Sequence, residues 1–467
     1  MPALGLLTGT AERSAGGLPT VPLINLVAEK SRTEPTGFVL ISRPILQYYT
    51  ASAWGGSFAI RALFRGEGVL DGDMFAVYST SVYSVADGVL GTLAGSLAPS
   101  FAGNEIGLVF TAGDAAKFWD GTAYRSITFP DSASVTKVIS HQGRFIFLRA
   151  GTHRYYWTEP LTNMLDMSGD IMIDGLDYAS AESEPDALVD GLIYRDHLVL
   201  GGTNTIEMHG ITGDDNAPWA PTLGSTIRRG VFGTGCMATW DDTFAWISKE
   251  RTVWRYNGGG AERISDAGIE ERLKDFDALR LDSFFFEGRE FLHVWGDDSY
   301  ADLFLDASTG EWTEWESEGG PFGGGPSASV GTDYPIFGAK DVARPLAIST
   351  RTNFGNGNAE DAIEHRFRCG MPMDGASVPI HSVSLRCQTY DSGSVTVSLR
   401  TSRDKGNSWS GWRAITISSG IRKKVEWRSL GTADPPGLLC EIKTAGATEF
   451  SVSGAFINEF IGGRGRG

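Results

Sequence analysis

The sequence predicts an all-β chain: a β-propeller, expected to have six blades, followed by a C-terminal antiparallel β-sandwich. Three observations lead there. Short apolar runs broken by turns recur about every 30 to 53 residues between residues 60 and 350, the period of propeller blades. From about residue 350 the runs lengthen and alternate strictly, as in a half-buried antiparallel sheet. Glycine supplies 60 of 467 residues, nearly twice the usual ~7%, which suits a chain rich in turns.

Residues 1–60 read as an N-terminal arm or platform segment, in which Pro19, Pro22 and Pro35 break any helix. Residues 61–348 form the expected propeller. Its leading strands begin near residues 74, 106, 145, 198, 244 and 291. Each opens a strand–turn–strand unit, such as Arg144 onward (RFIFLRAGTHRYYWT) or Asp196 onward (DHLVLGGTNTIEMHG). Two copies align without a gap: FWDGTAYRSIT from Phe118 and RYNGGGAERIS from Arg255. Both carry a hairpin signal, Asp120-Gly121 or Asn257-Gly258, because a type I′ turn needs positive φ at two positions. A four-stranded blade cannot bury both faces alone, so it must stack on neighbours around an axis.

One helix is expected, over SDAGIEERLKDF. Ser265 or Asp266 would cap it, and Ile269, Leu273 and Phe276 share one face. The Gly-rich stretch Gly319 to Gly331 reads as a flexible crossing. Residues 349–460 form the expected sandwich. In SVTVSLRTS, Val395, Val397 and Leu399 face one way and Thr396, Ser398 and Arg400 the other. Residues 461–467, ending Arg464-Gly465-Arg466-Gly467, read as a flexible tail.

Composition excludes several classes. Charged residues are 21% and aromatic residues 11%, unlike a disordered chain or a coiled-coil rod. No apolar run is long enough to span a bilayer as a helix. The Met1 end lacks a basic region followed by an apolar stretch, so no secretory leader is expected. The net charge of −17 argues against a grip on nucleic acid, which needs Lys and Arg to displace counterions. Cys236, Cys369, Cys387 and Cys440 lack zinc-site spacing and read as reduced, buried thiols.

The sharpest local motif is SRDKGNSW: Ser402, Asp404, Gly406, Ser408 and Trp409 match the Asp-box pattern of sialidases. Physically it is a turn clamp, in which Asp ties backbone amides, Gly supplies the turn and Trp packs beneath. A sialidase would repeat it. His141, His153, His197, His209, His293, His365 and His381 form no H-x-x-x-H or H-E-x-x-H pair. They read as interstrand or core histidines. Gly233-Thr234-Gly235 is too short for a dinucleotide fingerprint, and no G-x-S-x-G elbow occurs. The pairs Asp214-Asp215, Asp241-Asp242 and Asp297-Asp298 fall in expected turns. No catalytic, cofactor-binding or metal-ligating residue is assigned, and no cofactor is expected.

The order of features resembles the packaged-DNA stabilisation, or tail hub and nozzle, proteins of short-tailed bacteriophages. The likeness is carried by Glu182, Ser183, Pro185, Asp186, Arg195, Asp196, Thr205, Ile206, Glu207, Thr212 and Gly213. Cys236, Asp242, Trp246 and Ile247 continue it, then the Asp-box segment and VEWRSLG from Val425 to Gly431. LINLVAEK from Leu23 to Lys30 resembles the family's N-terminal segment. The resemblance implies a non-enzymatic virion protein of the viral tail, assembled in the host cytoplasm. It implies a homohexamer ring that extends the portal–adaptor channel and retains packaged DNA. The ring conducts double-stranded DNA on ejection without specific binding and carries tail fibres or a tailspike. Its partners are further copies of itself, the head–tail connector or tail adaptor, and the fibre. The alternative is a glycan-binding or sialidase-like propeller acting in host-receptor recognition.

Overall fold

The computed structural model describes residues 5–6, 23–34, 37–95, 97–160, 169–181, 186–296, 301–317, 320–328, 334–349, 359–360, 363–373, 375–447 and 449–458. Among them the chain is almost entirely antiparallel sheet, with one α-helix at Ala267–Leu273.

Seven blades, not six, form the propeller. Blades one to six span Ile60 to Thr92, Ser100 to Thr128, Val135 to Ser180, Leu188 to Pro221, Met237 to Arg263 and Leu279 to Ser317. The six expected leading strands are in fact the second strands of these blades, for example Met74–Tyr78 and Arg144–Arg149. Blade seven combines Gly324–Ala328, Ile336–Ala339 and Pro345–Ser349 with Ile45–Tyr48 as its outermost strand. The sequence hides this blade twice. Its inner strand lies in the stretch expected to be a flexible crossing, because Gly324, Gly325 and Pro326 carry no apolar alternation. Its outer strand comes from about 300 residues upstream. The rest of that expected crossing, Gly319 and residues 329–331, lies outside the described residues.

Gly324–Ala328 lies beside Ile60–Arg65, the inner strand of blade one, and this seam closes the ring. The seam is tight. A Cβ on Gly338 would stand 2.6 Å from the Cβ of Ile60, so only glycine lets the two blades approach. Elsewhere the blades pack through large side chains, of which Trp157, Trp246 and Trp315 are fully buried. Each such side chain removes more than ~150 Å² from water, at roughly 25 cal/mol per Å² of apolar surface.

The helix joins blades five and six. Asp266 caps it, accepting from the amides of Gly268 and Ile269 at 2.8 and 2.9 Å. Ile269, Leu273 and Phe276 pack into the core, as their spacing predicts. Arg272 then reaches Glu314 of blade six with two contacts of 2.8 Å.

Beyond the propeller, Ile363–Pro372, Ser382–Ser402, Arg413–Arg428, Gly437–Ala447 and Phe450–Ile457 form the C-terminal sheet. The 21-residue strand Ser382–Ser402 runs through both halves. Its first part pairs with Phe450–Ile457 and its second with Gly437–Ala447. The halves enclose one core that includes Leu385, Val397, Leu399, Val425, Ile442 and Val452. The chain's early strands enter this layer as well. Leu26–Lys30 pairs with Phe38–Ser42, which pairs with Phe450–Ile457. Leu23–Ile24 lies parallel to the outer strand of blade six and antiparallel to Ile363–Pro372. One hydrogen-bonded path therefore runs from blade six into the C-terminal sheet.

Candidate functional site

The joint between the two parts holds a buried, fully satisfied charge. Arg43 is fully buried, and its five guanidinium N–H groups are matched by five acceptor contacts. The ε nitrogen donates to Asn25 Oδ1 (2.8 Å), and the other two nitrogens reach Pro44 O (2.7 Å), Glu316 O (2.6 Å) and both oxygens of Glu360 (2.9 and 2.7 Å). The rings of Trp315 and Phe322 flank the cation at 5.8 and 5.3 Å. Burial pushes the Glu360 carboxyl up, but Arg43, Ser317 and the Leu46 amide together hold it below its ordinary value. Four chain segments thus converge on one guanidinium: the first strands, the start of blade seven's outer strand, the end of blade six and the entry to the C-terminal sheet. Sequence reading missed it, since Asn25 and Arg43 belong to no spaced motif.

The inner strands of blades two to six line an open cavity of about 380 Å³ at the centre of the ring. Its charged groups are Lys137, which pairs with Asp190 at 3.0 Å, and Asp282, which takes the Trp295 indole N–H at 2.7 Å. Burial raises the Asp282 carboxyl. Asp190 is fully committed to the fold. One oxygen accepts from Gly191 N, and the other accepts from Cys236 N (2.8 Å) and Met237 N (2.9 Å), tying blade four to blade five.

Several residues that carry the family resemblance prove to be clamps of this kind. Asp186 accepts from the amides of Asn204 and Thr205 at 2.6 and 2.8 Å, fixing the turn before Ile206-Glu207. A Cβ on Gly202 would fall 2.4 Å from its carboxylate. Arg195 and Asp196 fill a two-residue hairpin turn with φ of 45° and 62°, and Asp241 and Asp242 fill another at 51° and 55°. Such turns need the left-handed region twice. Arg195 pairs with Asp242 across the two turns at 3.0 Å. Glu182, Ser183 and Pro185 lie outside the described residues.

His141, His209, His293 and His365 are buried among strands as the interstrand reading expects, whereas His197 is half-buried, His153 lies in a bend and His381 is exposed. His141 accepts the Trp219 indole N–H (3.0 Å), His209 lies between Tyr155 and Glu207, and His293 meets Asp302 at 2.8 Å. His365 contacts Ser42 and Thr444. Among the acidic pairs, Asp214 closes its own turn through Asn216 N and Asp215 meets Arg144. Asp297-Asp298 lies outside the described residues, as does the tail 461–467. Among the described residues, no group of three or more His, Cys, Asp or Glu side chains is arranged to hold a metal. No helix among them is long and apolar enough to cross a membrane.

The Asp-box turn forms as its chemistry demands. Asp404 takes the Ser408 hydroxyl (2.5 Å), the Ser408 amide (2.8 Å) and the Ser402 hydroxyl (2.7 Å), which hold its carboxyl down at about 2. Trp409 stands in a stack on the sheet, where Arg368, Trp409, Arg400, Trp412 and Lys443 alternate at 4.9, 4.6, 4.6 and 5.0 Å. The buried Glu441 joins the two arginines at 2.9 and 2.7 Å. This stack pins the hairpin to the C-terminal sheet.

Charge divides along the chain. Residues 1–348 hold 25 Lys and Arg against 46 Asp and Glu, a net of −21, whereas residues 349–467 hold 15 against 11, a net of +4. The acidic balance belongs entirely to the part that contains the propeller.

Residues 3–294 match the protein family described as Bacteriophage P22 Gp10, beta-propeller. Over 240 residues the chain is 27% identical to tail hub protein gp10 of Salmonella phage P22, covering 46% of this chain and 49% of that one. The match thus spans about half the length of this relative. Among solved structures, an exo-β-1,3-galactanase from Phanerochaete chrysosporium covers 79% of this chain and 97% of its own at 8% identity, with a TM-score of 0.30. TmCBM61 bound to β-1,4-galactotriose covers 21% of this chain and 65% of its own at 14% identity, with a TM-score of 0.16. Likeness that slight says nothing of this chain's chemistry.

Proposed function

The chain belongs to the Bacteriophage P22 Gp10 β-propeller family, and from that membership we propose that it is a structural tail hub without an enzymatic step of its own. In this reading, six copies form a ring in the virion tail, assembled in the host cytoplasm. The ring extends the portal–adaptor channel, retains packaged DNA, conducts it on ejection and anchors fibres or spikes. Residues 61–348 act as the propeller body, joined by Ile45–Tyr48 and Ile60 from before the expected boundary. The rest of residues 1–60 and residues 349–460 together act as the platform against the adaptor.

The observation that carries this reading beyond family membership is the joint around Arg43. A hub that resists the thrust of packaged DNA needs its parts locked. Here strands from the first 50 residues are hydrogen-bonded into both the propeller and the C-terminal sheet. The net of −21 on residues 1–348 is consistent with a wall that repels duplex DNA and lets it slide.

The test is the mass of the purified chain in solution, alone and with portal–adaptor complexes. A sixfold ring, or hexamers that form only on the adaptor, is the expected result. A stable monomer indifferent to the adaptor overturns it. One observation favours a second reading, glycan recognition. Trp412 is 39% exposed with Arg400 and Lys443 over its ring, so a sugar would meet the indole edge and these cations rather than stack. Silence across a glycan panel discards that reading.

A further inference from the structure

Cys369 and Cys440 are register partners on the adjacent antiparallel strands Ile363–Pro372 and Gly437–Ala447. Residues directly opposite in such a pair have Cα atoms roughly 4.5 to 5.5 Å apart and side chains on one face. Disulfide-bonded cysteines span roughly 4.4 to 6.8 Å. Both side chains are fully buried in the C-terminal core. The other two thiols have different neighbours. Cys236 donates to the Leu279 carbonyl at 3.1 Å inside the propeller. Cys387 stands opposite Lys423 and Val452, with no cysteine across from it.

We propose that Cys369 and Cys440 are an oxidation site, closing to an intrachain disulfide when the chain meets a small-molecule disulfide such as oxidised glutathione. One thiolate attacks a sulfur of the reagent and displaces one small thiolate. The second cysteine then attacks the mixed disulfide and displaces the other. One S–S bond forms in the protein, one breaks in the reagent, and the two protons and two electrons leave on two small thiols.

The adjacent Cys440 thiol and burial push the Cys369 thiol well above its ordinary value. Since the thiolate is the nucleophile, the pair stays reduced in a reducing cytoplasm and reacts slowly at neutral pH. The bond would staple the strand that meets Leu23–Ile24, and so the joint to blade six, to the centre of the C-terminal sheet. It closes a loop of 70 residues, which restricts the unfolded chain. That a particle protein meets an oxidant on leaving its host rests on the tail-hub reading. The bond itself is tested on the isolated full-length chain.

The chain is incubated with oxidised glutathione at pH 8.5, at 25 °C and again a few degrees below its unfolding midpoint, where local opening admits the reagent. It is then denatured, alkylated and mapped by mass spectrometry. Free thiols are expected to fall from four to two, with a single Cys369–Cys440 peptide that dithiothreitol reverses and a raised unfolding midpoint. Cys440→Ser should form no disulfide within the chain and carry at most one glutathione, on Cys369. Four free thiols at the higher temperature overturn the proposal, as does a bond through Cys236 or Cys387 or one between chains.

Discussion

Arg43 and Glu360 lie 317 residues apart in sequence and meet as a two-pronged ion pair with side-chain exposures of 0% and 3%. Such a pair is costly to desolvate and contributes little unless every remaining donor is met. Here Asn25, Pro44 and Glu316 meet them. The pair therefore acts less as a source of net stability than as a lock that accepts one arrangement of four chain segments.

Removing one partner strands the other. Arg43→Ala should cost about 3–5 kcal/mol, because a buried carboxylate is left unpaired. Arg43→Met with Glu360→Leu should recover most of that loss. Urea unfolding of the two single variants and the pair checks this. A double variant no better than either single would show that the ion pair is not the lock.

The seam between blades one and seven rests on Gly338. Gly338→Ala should destabilise by about 1–3 kcal/mol, the usual range for overpacking, since its Cβ would stand 2.6 Å from Ile60. Ile60→Ala should then offset part of the cost. A double-mutant cycle on thermal unfolding gives the coupling. Strict additivity would place the two residues apart and deny the closure.

Asp190 couples three blades through buried contacts. Asp190→Ala leaves the Cys236 and Met237 amides and the Lys137 ammonium without their acceptor, a loss of about 3–5 kcal/mol. Asp190→Asn keeps one acceptor oxygen and should lose less. Chemical denaturation ranks them, and an alanine variant as stable as the parent would refute the clamp.

The Asp-box turn predicts a pH dependence. Asp404 is held at about 2, below its ordinary 3.8, first by the Ser408 hydroxyl and then by the Ser408 amide and the Ser402 hydroxyl. A depressed carboxyl contributes stability that is fully present above the unfolded value and lost as pH falls through the folded one. The stability difference between the parent and Asp404→Asn should therefore be constant above about pH 5 and shrink between pH 4 and 2. Urea midpoints measured from pH 2 to 7 test the sign. A difference that grew on acidification would contradict it.

The all-β class and the repeated hairpins were legible because local chemistry such as the alternation of Val395, Val397 and Leu399 fixes them; Asp120-Gly121 and Asn257-Gly258 do mark hairpins, but with four-residue loops in which only the glycine of each pair has positive φ, not the expected two-residue type I′ turns. The helix was legible for the same reason, with Asp266 as its cap. Blade seven was not, because its signals are non-local. Gly324 marks close packing against Phe322 and Phe337, and with Gly325 it reads in isolation as a loop. Ile45–Tyr48 finds its partner about 300 residues later. The joint was hidden similarly, since a buried arginine is recognisable only once its acceptors are in place. Asp186 and Asp190 were visible as residues, but their work as clamps on distant amides was not.

The N-terminal strands give a last prediction, about what the joint does for docking. Deleting residues 1–30 removes Leu23–Ile24 and Leu26–Lys30, and with them Asn25, but spares Ile45–Tyr48 in blade seven. Deleting residues 1–50 removes that strand too. Backbone amides buried in a sheet exchange slowly only while their ladder holds. The shorter deletion should therefore speed exchange in Ile363–Pro372 and Phe38–Ser42 and leave Pro345–Ser349 and Ile60–Arg65 protected. The longer one, which removes Phe38–Ser42 itself, should release Ile363–Pro372 together with Pro345–Ser349 and Ile60–Arg65. Both should fail to bind the adaptor, if the platform is built from residues 1–60 and 349–460. Equal protection in the two deletions would mean that blade seven closes without its upstream strand. Adaptor binding by the shorter one would move the docking surface onto the propeller.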